Sequence, residues 1–324
     1  MNNYKIRLQN TANEQHKTYN NGNISFNEYI QQLISNLKLQ GRYGTARNYE
    51  KAYKSFNKFC GGDKIPIEYV DSNIVLKYNN YLMGRGVIRN TISFYMRILR
   101  AVYNNAAANG YIEQAYPFSC VYTGVDTTRK RAVNENVIIK LMQLNLTERP
   151  SLEQLARDLF VFSYSTRGMS FIDMAFLRKR DINYGEISYI RHKTGKRLTI
   201  KVEPCIEKIM SKYADSHTLF VFPVIYSSDA SEAYKQYQSS LGYYNKLLKI
   251  LGNMIGLRTP LTSYSARHSW ATAARNMNIP ISVISAGMGH NSVNTTQIYL
   301  DQLDNSVIDS ANRQVLSGIN SISM

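Results

Sequence analysis

From Ile24 onward, apolar side chains recur every three or four residues. In ISFNEYIQQLISNLKL they are Phe26, Tyr29, Ile30, Leu33, Ile34 and Leu37, the spacing that lines one face of a helix. TARNYEKAYKSFNKFC repeats the pattern with Ala46, Tyr49, Tyr53, Phe56 and Phe59 or Cys60. DSNIVLKYNNYLMGRG predicts a third helix, opened by Asp71 or Ser72 and closed at Gly84 or Gly86. NTISFYMRILRAVYNNAAANG predicts a fourth, with Asn90 as N-cap and Gly110 as stop. Residues 24–112 therefore read as one four-helix unit. The Asn- and Gln-rich residues 1–23 have little periodicity and read as a mobile arm.

Residues 113–131 break the period. AYPFSCVYTGVDTTRKR mixes Pro, Gly and Thr with a basic cluster, as expected of an interdomain linker running beside an anion. A second unit, residues 132–324, predicts helices at 134–145, 151–164 and 171–178. The period then changes: GEISYIRHKTGKRLTIKV reads as two strands joined at Thr194-Gly195. Helices return at 203–214, 240–255, 264–277, 280–287 and 303–316. The expected fold is mainly α with one small β-sheet, in two domains.

Charge sharpens this picture. Among 324 residues, Lys plus Arg number 39 against 23 acidic residues, a net +16. Residues 1–131 carry 18 basic and 8 acidic side chains, and residues 132–324 carry 21 and 15. Such an excess suits a polyanion, with nucleic acid ahead of an anionic membrane surface. The three cysteines, Cys60, Cys120 and Cys205, are isolated, which argues against a structural zinc site or a disulfide framework. No apolar run reaches the length of a membrane span and the first residues lack a signal-peptide core, so the expected location is cytoplasmic.

Five features of the second unit bear on chemistry. Arg167 follows an apolar helix ending FVFSYST. Its planar fork suits a phosphate, or it pairs with Asp173 or Asp181. Lys193 lies at the hairpin tip in RHKTGK, either solvated or lifted into a cleft where it can protonate a leaving oxygen. In LTSYSARHSWATAARNM, Thr262 or Ser263 is the expected cap, and Tyr264 and Arg267 share a helical face. His290 follows Gly289 at an expected helix start, where backbone N–H groups favour an anion. Tyr299 comes nine residues later. Taken singly, each of the last two is as well explained by capping or packing.

Taken in order, Arg167, Lys193, Tyr264-x-x-Arg267, His290 and Tyr299 resemble the tyrosine recombinase (phage integrase) family. Its pattern is Arg, a hairpin Lys, His-x-x-Arg, His or Trp, then a nucleophilic Tyr. The resemblance covers residues 24–324 and implies a SAM-like core-binding domain followed by an integrase-type catalytic domain, clamping DNA in a C shape. Two positions depart from the pattern. Tyr264 stands where the family has His, and a phenol of pKa about 10 is a poor general base. Asp173 lies six residues after Arg167 rather than three, and is expected to orient arginines.

The resemblance implies that Tyr299 attacks a DNA phosphate, that Arg167 and Arg267 hold its oxygens, that Lys193 protonates the leaving 5′-oxygen and that His290 orients the phosphate, without metal or other cofactor. It implies double-stranded DNA contacts from Arg42, Thr45, Arg47, Asn90, Thr91 and Arg97, and from Lys130 and Arg131 where the linker crosses the duplex. Each of these positions reads equally as a solvated face. Beyond Tyr299, Leu303, Val307, Ala311, Val315 and Ile319 form an apolar stripe spaced by four. In the family such a tail docks on a neighbouring protomer, which implies a tetramer on two DNA sites. Only about 23 residues precede the first helical unit, which suggests an invertase, a resolving enzyme or a mobile-element integrase. The competing readings are a type IB topoisomerase-like relaxing enzyme and a DNA-binding protein without catalysis.

Overall fold

The computed structural model describes residues 24–62, 64–126, 132–149, 151–215, 217–297 and 312–317. The chain divides into two compact units, residues 1–127 and 128–324.

The first unit holds α1 (Phe26–Leu39), α2 (Tyr43–Phe59), α3 (Ser72–Gly84) and α4 (Arg89–Ala108). Two of them, α1 and α3, start at a capping side chain. Ser25 and Glu28 form a reciprocal capping box on α1, which satisfies two orphan N–H groups. Asp71, not Ser72, caps α3 by accepting from Ile74 N at 2.8 Å. The expectation for α4 is corrected: the helix starts at Arg89 behind Ile88. Asn90 lies inside its first turn, and its amide instead brackets Asp126, donating to the carbonyl at 3.1 Å and accepting from the N–H at 2.8 Å. Phe26, Phe56 and Tyr78 meet edge-to-face in the core. Residues 117–126 fold back on this unit. Phe118 is buried, Ser93 Oγ donates to Gly124 O, and Arg89 stacks 3.8 Å from the Tyr122 ring centre.

The second unit is built around α6 (Ser151–Ser165), following α5 (Glu135–Gln143). α6 buries Leu155, Ala156, Leu159, Phe160, Val161 and Phe162, too wide an apolar surface for a helix with one wet face. Its surroundings are α5, α7 (Phe171–Ala175), α8 (Pro204–Ser211), α9 (Ala230–Met254) and α10 (Ser265–Asn276). α11 (Ile281–Gly287) and α12 (Val293–Gln297) follow.

The sheet has three antiparallel strands rather than two, β1 (Ile182–Asn183), β2 (Glu186–Ile190) and β3 (Arg197–Lys201), in the order β1-β2-β3. The extra strand enters through Tyr184 at φ 51° and Gly185 at φ 74°, a two-residue turn whose positive φ angles match the twist of a hairpin. Ile187 pairs with Ile200, and both are buried. α9 starts ten residues before the expected 240, because Asp229 accepts from Glu232 N at 2.8 Å and starts the helix in the polar stretch ASEAYKQYQS. Among the described residues no helix is long and apolar enough to cross a membrane.

Candidate active site

α6 ends in a tight turn that aims the first arginine. Thr166 Oγ1 donates back to Phe162 O at 2.6 Å, and Gly168 N donates to Ser163 O at 2.8 Å. Arg167 and Gly168 both adopt positive φ, 60° and 75°. This is a conformation that costs a side-chain-bearing residue about 1–2 kcal/mol. Arg167 is half-buried, and its Nη1 reaches the Thr199 carbonyl on β3 at only 3.4 Å.

Neither candidate carboxylate pairs with Arg167. Asp181 accepts from Arg178 N at 2.9 Å. Asp173 accepts from Ser170 Oγ at 2.6 Å and from His192 N at 2.9 Å, and its Oδ1 lies 3.1 Å from His192 Nδ1. The expectation that Asp173 orients arginines is therefore corrected: through His192 it anchors the loop that carries Lys193. Burial works against its charge, but the bonds from His192 and Ser170 prevail and hold its pKa below the usual carboxylate range.

Arg267, in the first turn of α10, is 3% exposed. Its Nη1 donates to Gly168 O at 2.6 Å and its Nη2 to Met288 O at 2.6 Å. The Gly168 contact explains the glycine. A Cβ there would lie 2.7 Å from both Cα and Cγ of Arg267, so the two arginines approach only across a residue without a side chain. The expected cap, Thr262 or Ser263, is corrected: neither caps α10 with its side chain, and Ser265 N donates to Thr262 O at 2.9 Å instead. Tyr264 directly precedes the helix and is 49% exposed, unlike its neighbour Arg267.

His290 is 5% exposed and comes three residues before α12, not at a helix start. Its Nε2 lies 2.9 Å from Arg267 Nη2, and its Nδ1 lies 2.8 Å from Thr296 Oγ1. A guanidinium cannot accept a hydrogen bond, so Nε2 is the acceptor and Nδ1 holds the proton. Burial, then the charges of Arg267, Arg191 and Lys193, pull the His290 pKa down to about 3. The ring is neutral in the folded protein down to that pH, whereas in the unfolded chain it protonates below about 6.5. The unfolded state thus binds the extra proton between these values, and stability falls as pH falls through that window. Replacing His290 with Asn is expected to flatten the pH dependence of urea unfolding between pH 6.5 and 4; an unchanged slope would refute the assignment.

Lys193 is exposed on the six-residue loop between β2 and β3. The loop is longer than the expected Thr194-Gly195 turn and is closed by Thr194 N and Gly195 N, both donating to Arg191 O. The sequence reading missed Arg191, which is 4% exposed. A signal was present: Arg191, just past the end of β2, continues the every-second-residue spacing of the buried Ile187 and Tyr189.

The structure thus gathers Arg167, Arg267 and His290, with the Lys193 loop beside them. Tyr299, Lys130 and Arg131 lie outside the described residues. So do Leu303, Val307, Ala311 and Ile319, while Val315 is described and is 77% exposed. In the first unit, Arg42 and Arg47 are exposed, and Thr45 is half-buried beside them at the start of α2. Thr91 and Arg97 are half-buried on α4, where Asn90 is bonded to Asp126.

Residues 25–121 match the model of the phage integrase SAM-like domain, and residues 133–306 match that of the phage integrase family. The chain belongs to the phage integrase family, whose members are tyrosine-type site-specific recombinases. Tyrosine recombinase XerA of Pyrococcus furiosus is 24% identical over 280 residues, covering 84% of this chain and 88% of its own. Tyrosine recombinase XerC of Pediococcus pentosaceus is 23% identical over 270 residues, covering 79% and 86%. A lambda integrase tetramer bound to a Holliday junction shares the fold, with TM-score 0.63 and 15% identity over 91% of this chain and 80% of that one.

Proposed function

We propose that this recombinase cuts and rejoins double-stranded DNA with Tyr299 as nucleophile and Arg167, Lys193, Arg267 and His290 as its active site. The observation that supports this best is the Arg167–Arg267 pair, brought together across Gly168, with no carboxylate among the described residues within ion-pairing reach of Arg167. A half-buried guanidinium left without a counter-ion favours an anion as ligand, and a phosphodiester matches its fork.

In the first step Tyr299 releases its hydroxyl proton to water and its oxygen bonds to phosphorus as the bond from phosphorus to the 5′-oxygen breaks. Arg167 and Arg267 hold the non-bridging oxygens, where charge builds up in the transition state. Lys193 gives its proton to the departing 5′-oxygen. A 3′-phosphotyrosyl link remains, and the 5′-hydroxyl of a second strand reverses the step to join new ends. Each step exchanges one phosphoester bond for another and the phosphorus keeps two throughout, so no external energy source is needed. His290 already accepts from Arg267, so its role is to fix that guanidinium and the phosphate it holds. Tyr264, exposed at the mouth of α10, has a hydroxyl that can donate to a phosphate oxygen but not serve as base near neutral pH.

Arg42, Thr45, Arg47, Thr91 and Arg97 are surface positions from which the first unit contacts the duplex, and Lys130 and Arg131 add to them. Asn90 acts indirectly by fixing Asp126. The active assembly is a tetramer on two sites, with the C-terminal apolar stripe docked on a neighbouring protomer; the lambda integrase tetramer bound to a Holliday junction supports the tetramer. The exposure of Val315 supports that exchange. The cytoplasm is the expected compartment.

A nicked suicide substrate tests the reaction. Trapped protein–DNA adduct that transfers its strand to a second duplex is the expected result. Adduct that religates only its own strand would favour a relaxing enzyme, and no adduct would refute the catalytic reading.

A further inference from the structure

The loop bearing Lys193 and the turn bearing His290 meet at one carbonyl. Gly289 O accepts from Arg191 Nη1 at 2.8 Å and from Thr194 Oγ1 at 3.4 Å. These two residues flank Lys193 in RHKTGK. The turn is pressed onto the hairpin. Gly289 has φ 66°, and a Cβ on it would lie 2.8 Å from Leu198 Cδ1 and 3.3 Å from Arg191 Cδ.

Arg191 is an unusual residue to bury. It is 4% exposed, and among the described residues no carboxylate lies within ion-pairing reach and its Nε has no hydrogen-bond partner. An unbranched apolar side chain of similar length would fill the space without that desolvation cost. What an apolar residue would lack is the bond to Gly289 O. Its Nη1 is committed to the Gly289 carbonyl, between the Lys193 loop and the His290 turn, so it bears on the reaction through those neighbours.

We propose that Arg191 is a positioning residue, which clasps the Lys193 loop to the His290 turn through the Gly289 carbonyl and so places the Lys193 ammonium against the leaving 5′-oxygen. Thr194 is the weaker half of the same clasp. The tethered loop makes Lys193 part of the rigid arginine–histidine floor, where a freely moving lysine would be aligned for only a fraction of the time. This inference rests on the reading of Lys193 as the proton donor.

A substrate with sulfur in place of the bridging 5′-oxygen separates the possibilities, because a thiolate leaves without a proton. Arg191→Met is expected to slow adduct formation on ordinary DNA by about 10²-fold, the lower end of a general-acid contribution. On the sulfur-bridged substrate it is expected to cleave within about threefold of the unaltered protein, with DNA binding retained and Arg191→Lys partly restoring the rate on ordinary DNA. Lys193→Ala is run alongside. If Lys193→Ala is rescued by sulfur and Arg191→Met is equally slow on both substrates, the clasp is wrong and the lysine reading stands. If Lys193→Ala is not rescued, the lysine reading fails and takes the clasp with it. Full-speed cleavage of ordinary DNA by Arg191→Met also overturns the proposal. Should Arg191→Met fail to fold, Thr194→Val gives the same reading: a few-fold loss confined to ordinary DNA supports the clasp, and no loss or an equal loss on both substrates overturns it.

Discussion

Tyr299→Phe is expected to bind its DNA sites as the unaltered protein does and to form no covalent adduct on a suicide substrate. Phenylalanine keeps the ring and removes only the oxygen proposed to attack. Loss of a nucleophile lowers turnover on the order of 10⁴-fold or more, because the remaining groups have nothing to activate. Gel-shift titration and adduct trapping together provide the test. An adduct that persists in the Phe variant would mean that another of the 25 tyrosines is the nucleophile. Tyr264 is the first to examine, since it is exposed three residues before Arg267. A variant that loses binding and adduct together would show a folding defect instead, so thermal unfolding is measured on the same preparation.

Gly168→Ala is expected to damage both stability and activity. The residue sits at φ 75°, and an added Cβ meets Arg267 at its Cα as well as its side chain. Backbone strain accounts for about 1–2 kcal/mol, and overpacking against a helix backbone adds about 1–3 kcal/mol. To relieve the contact, α10 must move away from the end of α6, which separates Arg267 from Arg167. A displacement approaching 1 Å lowers cleavage by about 10²-fold. Gly185→Ala is the comparison, with φ 74° and open space around its Cβ. It is expected to show the strain alone, with cleavage unchanged. If urea unfolding finds the two variants equally destabilised, the close approach of the arginines does not depend on Gly168.

What could be read from the sequence follows from how local each determinant is. The helices of the first unit were legible because Phe26, Tyr29, Ile30 and Ile34 repeat at helical spacing and are buried as that spacing implies. Asp71 was legible as a cap because a capping bond spans three residues. The early start of α9 was not, because Asp229 precedes a run of Gln, Ser and Tyr with weak apolar contrast. At the site, the order of Arg167, Arg267 and His290 was legible and their contacts were not. Asp173 was expected beside an arginine and lies instead against His192, a partner 19 residues away that only the hairpin brings near. The Arg191–Gly289 bond spans 98 residues, and no local pattern encodes it. Asn90 shows the opposite error: a residue with the right chemistry to cap a helix sits inside α4 and serves a distant loop.

The left-handed backbone of Arg167 sets a trade-off between stability and function at this one position. Glycine would relax the turn, and alanine would not. Arg167→Gly is thus the substitution here that can raise the melting temperature while removing the guanidinium proposed to hold the phosphate. A screen for robust folding alone would drift toward glycine at residue 167 and discard the proposed catalytic group.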